Sequence, residues 1–114
     1  MTNKRTVFVV NDSGHDYSDA ERFGEIKFLS RGKVFQFHTT EMMRILVPAI
    51  INSNKDDLIV SAGPTIMFTM ACVLFGRKHG KINLLIFDGE KYKLRRINFE
   101  SCEIWYNKEE GDGK

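Results

Sequence analysis

Cysteine is scarce in this chain of 114 residues, and its two copies lie far apart. Cys72 falls in an apolar stretch and Cys102 falls thirty residues later, so neither a metal-binding spacing nor a disulfide framework is present. Long hydrophobic runs are also missing, because only four apolar residues follow the charged start and the run 66–75 is too short to cross a bilayer. We therefore expect a protein of the reducing cytoplasm, with no signal peptide and no membrane span.

A strong excess of one charge is absent as well. The chain has 17 Lys and Arg against 15 Asp and Glu, a formal net charge of +2, which is too balanced to indicate nucleic-acid binding. The basic residues Lys91, Lys93 and Arg95 alternate, a pattern typical of an edge strand protected from aggregation by like charges.

The middle of the chain has the pattern of one strand–helix–strand unit. Asp57–Val60 and Ile82–Phe87 are short runs rich in branched apolar residues, and between them lies the longer, mostly apolar run Pro64–His79. Pro64 suits the first position of a helix because its missing N–H is not needed there. The free N–H groups of that first turn then lie at the carboxyl end of a parallel strand, where open α/β sheets bind ligands.

The flanking segments extend this unit into a larger sheet. Thr6–Val10 is apolar without alternation, which predicts a strand in mid-sheet that is covered on both faces. Residues 25–38 alternate on both sides of Arg31-Gly32 and fit either a hairpin or one strand followed by an extended connection. Residues 39–53 predict a helix that contains Pro48, and residues 92–99 predict an antiparallel strand.

Together these elements predict an α/β fold, a three-layer Rossmann-like sandwich whose mainly parallel central sheet carries an antiparallel C-terminal edge hairpin. We expect one domain over residues 1–106 and a disordered tail over the polar residues 107–114. The helix from Pro64 is apolar nearly all round, which exceeds what one sheet contact buries and predicts a homodimer. Enclosure of this helix by the sheet and the tail is the alternative.

A polar loop follows the first strand, and two further polar turns follow the other parallel strands. If these strands point the same way, the three turns meet at one edge of the sheet. The alternative is that these residues are ordinary turn formers. The predicted ligand-binding residues are Asn11, Asp12, Ser13, Gly14, His15, Asp16, Tyr17, Ser61, Gly63, Thr65 and Asp88.

Other kinds of site fit these residues less well. A metal site formed by Asp12, His15, Asp16 and Asp19 lacks a known ligand spacing. A nucleophilic triad of Ser13, His15 and Asp16 is disfavoured because adjacent residues cannot easily align the three groups. Without a Gly-x-Gly-x-x-Gly motif a dinucleotide is not indicated, which leaves a small anion or the phosphate of a nucleotide. We predict no catalytic residue, no metal ion and no cofactor.

Residues 7–24, together with 58–64 and 83–88, resemble a family of small uncharacterised α/β proteins encoded by bacteriophages and prophages. The resemblance spans most of residues 5–99, and its most specific part is the loop Asn11–Ala20. It implies expression in the cytoplasm of an infected bacterium and an accessory or host-modulating role. It supplies no catalytic residues.

We therefore expect a non-catalytic binder of a small anionic, nucleotide-like ligand at the carboxyl ends of the parallel strands. An alternative is a module that binds a bacterial host protein through the apolar helix face or the Lys91–Arg95 edge. A hydrolase of cyclic nucleotides is a second alternative, and it would depend on His15 or Ser61. The predicted pocket exists only if the first strand is parallel to the other two.

Overall fold

The sheet and helices follow the predicted order along the chain. In the computed structural model, residues 4–99 are described. The predicted carboxyl-terminal part of the domain, residues 100–106, and the predicted tail, residues 107–114, lie outside the described residues. The described elements are β1 (Thr6–Val9), a 3-10 helix (Ser18–Phe23), β2 (Glu25–Phe28), α1 (Thr39–Ile51), β3 (Leu58–Val60), α2 (Thr65–His79), β4 (Lys81–Phe87) and β5 (Tyr92–Asn98).

The five described strands form one sheet in the order β2-β1-β3-β4-β5. Strands β1 to β4 run parallel, with Val7 opposite Leu58 and Ile59 opposite Leu84, and β5 pairs antiparallel to β4. The predicted mixed sheet with an antiparallel edge pair is confirmed. Because β1, β3 and β4 point the same way, their outgoing turns leave from one edge of the sheet, as the predicted pocket requires.

Both faces of the central strands are buried, which explains their apolar runs without alternation. Alternate residues of a strand point to opposite faces. On one face Phe8, Val10 and Ile59 form a hydrophobic cluster with α1 and α2. The helices contribute residues spaced four apart, which lie on one side of each helix: Met42, Leu46 and Ile50 from α1, and Met67, Ala71 and Phe75 from α2.

The opposite face carries a second cluster. Val7, Val9 and Leu58 pack there with Tyr17 and with Ala20 from the 3-10 helix. The described covering elements are thus two α-helices on one face and one short 3-10 helix on the other. This difference leaves the two faces unequally covered.

The segment after β2 is a connection rather than the second strand of a hairpin. Strand β2 ends at Phe28, and only an isolated parallel bridge between Asp12 and Arg31 continues its pairing with the segment after β1. The Asp12 N–H donates to the Ser30 carbonyl at 2.8 Å, which fixes the start of the connection against β1. Residues 29–38, which we call the connector, therefore begin at the carboxyl edge of the sheet.

Candidate ligand-binding site

The turn into α2 touches the end of β1. Gly63 has φ +102°, a conformation that residues with a Cβ rarely adopt. A Cβ atom on Gly63 would lie 2.8 Å from Cγ2 of Val10 and 3.9 Å from the backbone nitrogen of Asn11. The close approach brings the start of α2 beside the loop after β1. These are two of the three turns that the sequence predicts to meet.

Ser30, which lies in the connector, contacts both the end of β1 and the start of α2. Its hydroxyl oxygen lies 2.7 Å from the Val10 carbonyl, 2.8 Å from Oδ1 of Asn11 and 3.8 Å from Sδ of Met67. The buried Asn11 side chain also donates from Nδ2 to the Gly32 carbonyl at 3.0 Å. Asn11 is one of the predicted ligand-binding residues, but its side-chain amide is used to hold the connector. Ser30 was not predicted, because a single serine at a strand end gives no distinctive signal.

The remainder of the loop after β1 is shaped by carboxylates that bond to nearby backbone. Asp12 accepts the Gly14 N–H at 3.1 Å, and Asp16 accepts the Ser18 N–H at 2.9 Å. The latter bond lowers the pKa of Asp16. Ser13 and His15 are exposed, whereas Tyr17 is buried against the ring of Phe28, with 5.6 Å between the ring centroids. Of this loop, Ser13 and His15 are the side chains best placed to meet a solute.

A groove of about 500 Å³ opens at the first turn of α2. The connector forms one wall with Lys33–Phe37, and the turn into α2 forms the other wall with Pro64–Ile66. The first N–H groups of a helix have no acceptor within the helix, and they lie at the positive end of its dipole. The groove therefore combines backbone donors with the cation of Lys33. We call it the rim groove.

Two aromatic side chains of the connector are unusually exposed. Phe35 is 54% exposed and Phe37 is 83% exposed. The Phe35 ring lies 5.2 Å from Nζ of Lys33 and 5.2 Å from the centroid of the His38 ring. A smaller cavity of about 160 Å³, lined in part by Ser30, Lys33 and Phe35, adjoins the same stretch of the connector. This aromatic wall was not predicted, because alternation in residues 33–38 also fits a half-buried strand.

Asp88 is used within its own hairpin. Its Oδ1 accepts the N–H groups of Glu90 and Lys91, each at 2.9 Å, and its Oδ2 lies 3.2 Å from Nζ of Lys93. The two backbone bonds are the main reason that the pKa of Asp88 falls to about 2. Ser61 is exposed, and its backbone N–H donates to the Leu85 carbonyl at 2.9 Å, which ties the end of β3 to β4. The contacts that shape the rim groove come from β1, the connector and α2.

The acidic residues near the loop after β1 are not gathered around a cation site. Within residues 4–99, no group of three or more His, Cys, Asp or Glu side chains is placed to hold a metal ion. Asp19 instead accepts the Tyr92 N–H at 2.7 Å, and this bond is the main reason that its pKa is lowered. Arg22, which pairs with Asp19 at 3.3 Å, donates to the Tyr92 carbonyl. The pair fastens the 3-10 helix to β5.

A serine and a histidine meet at the opposite edge of the sheet. The Ser53 hydroxyl oxygen lies 2.8 Å from Nε2 of His79 and donates to the Ile50 carbonyl at 2.6 Å. Since a hydroxyl has one hydrogen, His79 acts as the donor to Ser53 and cannot serve as its base. Burial is the main reason that the pKa of His79 is lowered. This pair ties the end of α1 to the end of α2.

A larger groove of about 640 Å³ runs beside β2, on the outer side of the sheet. Its lining includes both the basic residues Lys4, Arg5 and Arg22 and the acidic residues Glu21 and Glu25, so its charge is mixed. It begins at the amino end of the strands, away from the start of α2. The rim groove has the chemistry that better suits an anion, despite its smaller volume.

The similarity of the chain to known proteins indicates its family. No described helix is both long enough and apolar enough to cross a membrane. No curated protein and no solved structure shows significant similarity to the chain. The family model described as phage Pam3 gp32-like protein, however, matches residues 5–101, which is most of the chain and includes the loop after β1, the connector and α2. The chain therefore belongs to the phage Pam3 gp32-like protein family.

Proposed function

We propose that this phage protein is a non-catalytic binder of a small anionic, nucleotide-like ligand, and that the ligand occupies the rim groove. The observation that carries the proposal is the composition of that groove. The first turn of α2 faces a wall that presents Lys33 beside the exposed rings of Phe35 and Phe37. Of the residues predicted from the sequence, Thr65 lines the groove, and Gly63 lies in the turn that precedes it.

The two walls suit the two halves of a nucleotide. A phosphate group would accept hydrogen bonds from the N–H groups at the start of α2, with Lys33 supplying a nearby positive charge. A base would stack on Phe35 or Phe37, and such stacking contributes about 1–3 kcal/mol per base. Because neither ring is buried, no core packing has to be given up when a base arrives.

The position and size of the groove support the same proposal. In a sheet with the order β2-β1-β3, ligands bind at the carboxyl edge, where the chain connections from β1 and β3 leave in opposite directions. We also propose that the fold is a Rossmann-like three-layer sandwich and that the loop Asn11–Tyr17 borders the ligand. The volume of about 500 Å³ lies within the range of about 300–1,000 Å³ that small-molecule sites occupy.

Calorimetric titration with nucleoside monophosphates and cyclic nucleotides tests this proposal. We expect Lys33→Ala to weaken binding about tenfold, in line with about 1.5 kcal/mol for a hydrogen bond to a charged group. Lys27→Ala is the matched control, because Lys27 is exposed on β2, outside the rim groove, and its replacement by Ala removes the same charge. No heat of binding at millimolar nucleotide, or equal losses in the two variants, would refute the proposal.

A second candidate function is binding of a bacterial host protein through α2. It is favoured by Val73, an apolar side chain on α2 that is 55% exposed. Capture of one stoichiometric host protein that survives Lys33→Ala but is lost on Val73→Asp would favour this function over nucleotide binding. Met67 is unsuitable for such a test because it is fully buried in the core.

A further inference from the structure

The smaller cavity beside the rim groove is bounded by the connector, the first turns of α1 and the start of α2. Its volume is about 160 Å³, and we call it the inner cavity. The connector residues Lys33, Val34 and Phe35 border both the inner cavity and the rim groove. Their second walls are also continuous along α2, because Ile66 lines the rim groove and Met67 lines the inner cavity.

The floor of the inner cavity is apolar. Met42 and Ile45, which are three residues apart and share one face of α1, form it together with Met67 from the first turn of α2. Met42 and Met67 are buried. A thioether sulfur is polarisable and makes favourable contacts with aromatic rings. The floor therefore suits a flat aromatic ring, whereas an unpaired charge would lose its hydration there.

Two aromatic side chains line the inner cavity on the side of the connector. The His38 N–H donates to the Phe35 carbonyl at 3.0 Å, and this turn brings the centroids of the two rings to 5.2 Å. The Phe35 ring is 54% exposed, so part of its surface is free to contact a ligand. Aromatic side chains are the usual stacking partners of nucleic-acid bases.

The Ser30 hydroxyl adds one polar group to the wall of the inner cavity. It has a single hydrogen, and the three atoms that it contacts are all acceptors: the Val10 carbonyl oxygen, Oδ1 of Asn11 and Sδ of Met67. None of these contacts gives a hydrogen to the Ser30 oxygen, which can therefore accept one from a ligand. Uracil and cytosine both carry an N–H donor at the edge of a single ring.

We propose that the inner cavity holds the base of the nucleotide and that this base is a pyrimidine. The inference rests on the proposed function, because the phosphate remains at the first turn of α2 beside Lys33. The volume distinguishes the two classes of base. A protein cavity of about 150 Å³ holds one benzene molecule, so the inner cavity matches one six-membered ring. The second fused ring of a purine exceeds that space.

Calorimetric titration of the full-length protein with the monophosphates of uridine, cytidine, adenosine and guanosine tests the inference, because the four ligands share their ribose and phosphate. We expect at least one pyrimidine nucleotide to bind at least about tenfold more tightly than both purine nucleotides, since a pocket of fixed size discriminates by about that factor or more. Purine nucleotides that bind as tightly would overturn the inference and leave the proposed function standing. No binding of any of the four would overturn the proposed function itself.

Three variants test the location of the base. Ile45→Trp fills the inner cavity, and we expect it to weaken pyrimidine binding at least about tenfold and to abolish the preference over purines. Ile45→Ala enlarges the cavity and should reduce the preference by making room for the second ring. Ile51→Trp is the control, because Ile51 is 61% exposed at the end of α1, outside the inner cavity, and this variant should keep the preference.

Circular dichroism shows which of these variants are folded. A preference that persists in folded Ile45→Trp or folded Ile45→Ala protein would contradict the assignment, and so would an equal loss of preference in Ile51→Trp. The comparison of the four nucleotides on the unmodified protein decides the question even if both changes at Ile45 prevent folding.

Discussion

Replacement of Gly63 by Ala tests whether the turn into α2 really rests against the end of β1. Gly89 provides a matched control, because both glycines have φ +102°. A Cβ atom on Gly63 would lie 2.8 Å from Cγ2 of Val10, whereas a Cβ atom on Gly89 meets nothing within 4 Å. The two substitutions thus share a backbone cost and differ in one steric contact.

The expected magnitudes follow from these two terms. A residue with a Cβ held in a sparsely populated backbone region costs about 1–3 kcal/mol. Forcing an extra methyl group into a packed site costs about 1–3 kcal/mol more. We therefore expect Gly63→Ala to lower the free energy of unfolding by about 2–6 kcal/mol, and Gly89→Ala to lower it by about 1–3 kcal/mol.

Urea unfolding of both variants measures these losses, and a double-mutant cycle isolates the contact. Val10→Ala removes the methyl group that the new Cβ would strike, so the double variant should be more stable than the sum of the two single losses predicts. Equal losses at Gly63 and Gly89, together with additive effects of Gly63→Ala and Val10→Ala, would refute the close approach. The turn into α2 would then not rest against the end of β1.

Two further predictions concern the polar groups around the sheet edge. Asn11→Ala should cost about 1–3 kcal/mol in urea unfolding, because Asn11 is buried and the substitution removes its two hydrogen bonds, to the Gly32 carbonyl and to the Ser30 hydroxyl. The exposed Asn52 is the control, and an equal loss in Asn52→Ala would contradict the role of Asn11. Because the pKa of Asp88 is lowered from 3.8 to about 2, its contribution to stability is present above about pH 4 and is lost as the pH falls through about 2. Melting temperatures of the wild type and Asp88→Asn should therefore converge toward pH 2, and curves that stay parallel would contradict this.

The sheet could be predicted because burial on both faces leaves a clear mark on the sequence. Thr6–Val9 and Leu58–Val60 lack alternation for that reason, and the helix between β3 and β4 forces those two strands to run parallel. The fate of residues 25–38 could not be predicted, since alternating residues fit a strand and a connection equally well. The structure selects β2 followed by the connector, which Asp12 and Asn11 hold against β1.

The site was harder to predict than the sheet, because the sequence shows which polar side chains are near an edge but not which way they face. Asn11 turns inward to the connector, and Asp88 closes its own hairpin. Phe35 and Phe37 belong to an alternating pattern that also fits a strand, although they line the rim groove. Their high exposure depends on the path of the connector, which no local pattern determines.

The central claim is that the first turn of α2 and the connector wall bind one anionic ligand together. The most direct test is a titration of isotope-labelled protein with a nucleoside monophosphate, in which NMR measures the chemical shift of each backbone amide. We predict that the largest shifts fall on Thr65, Ile66 and Met67 and on residues 33–37, with little change in β2. Largest shifts along β2 and at Arg22, or no shifts at millimolar nucleotide, would contradict the account.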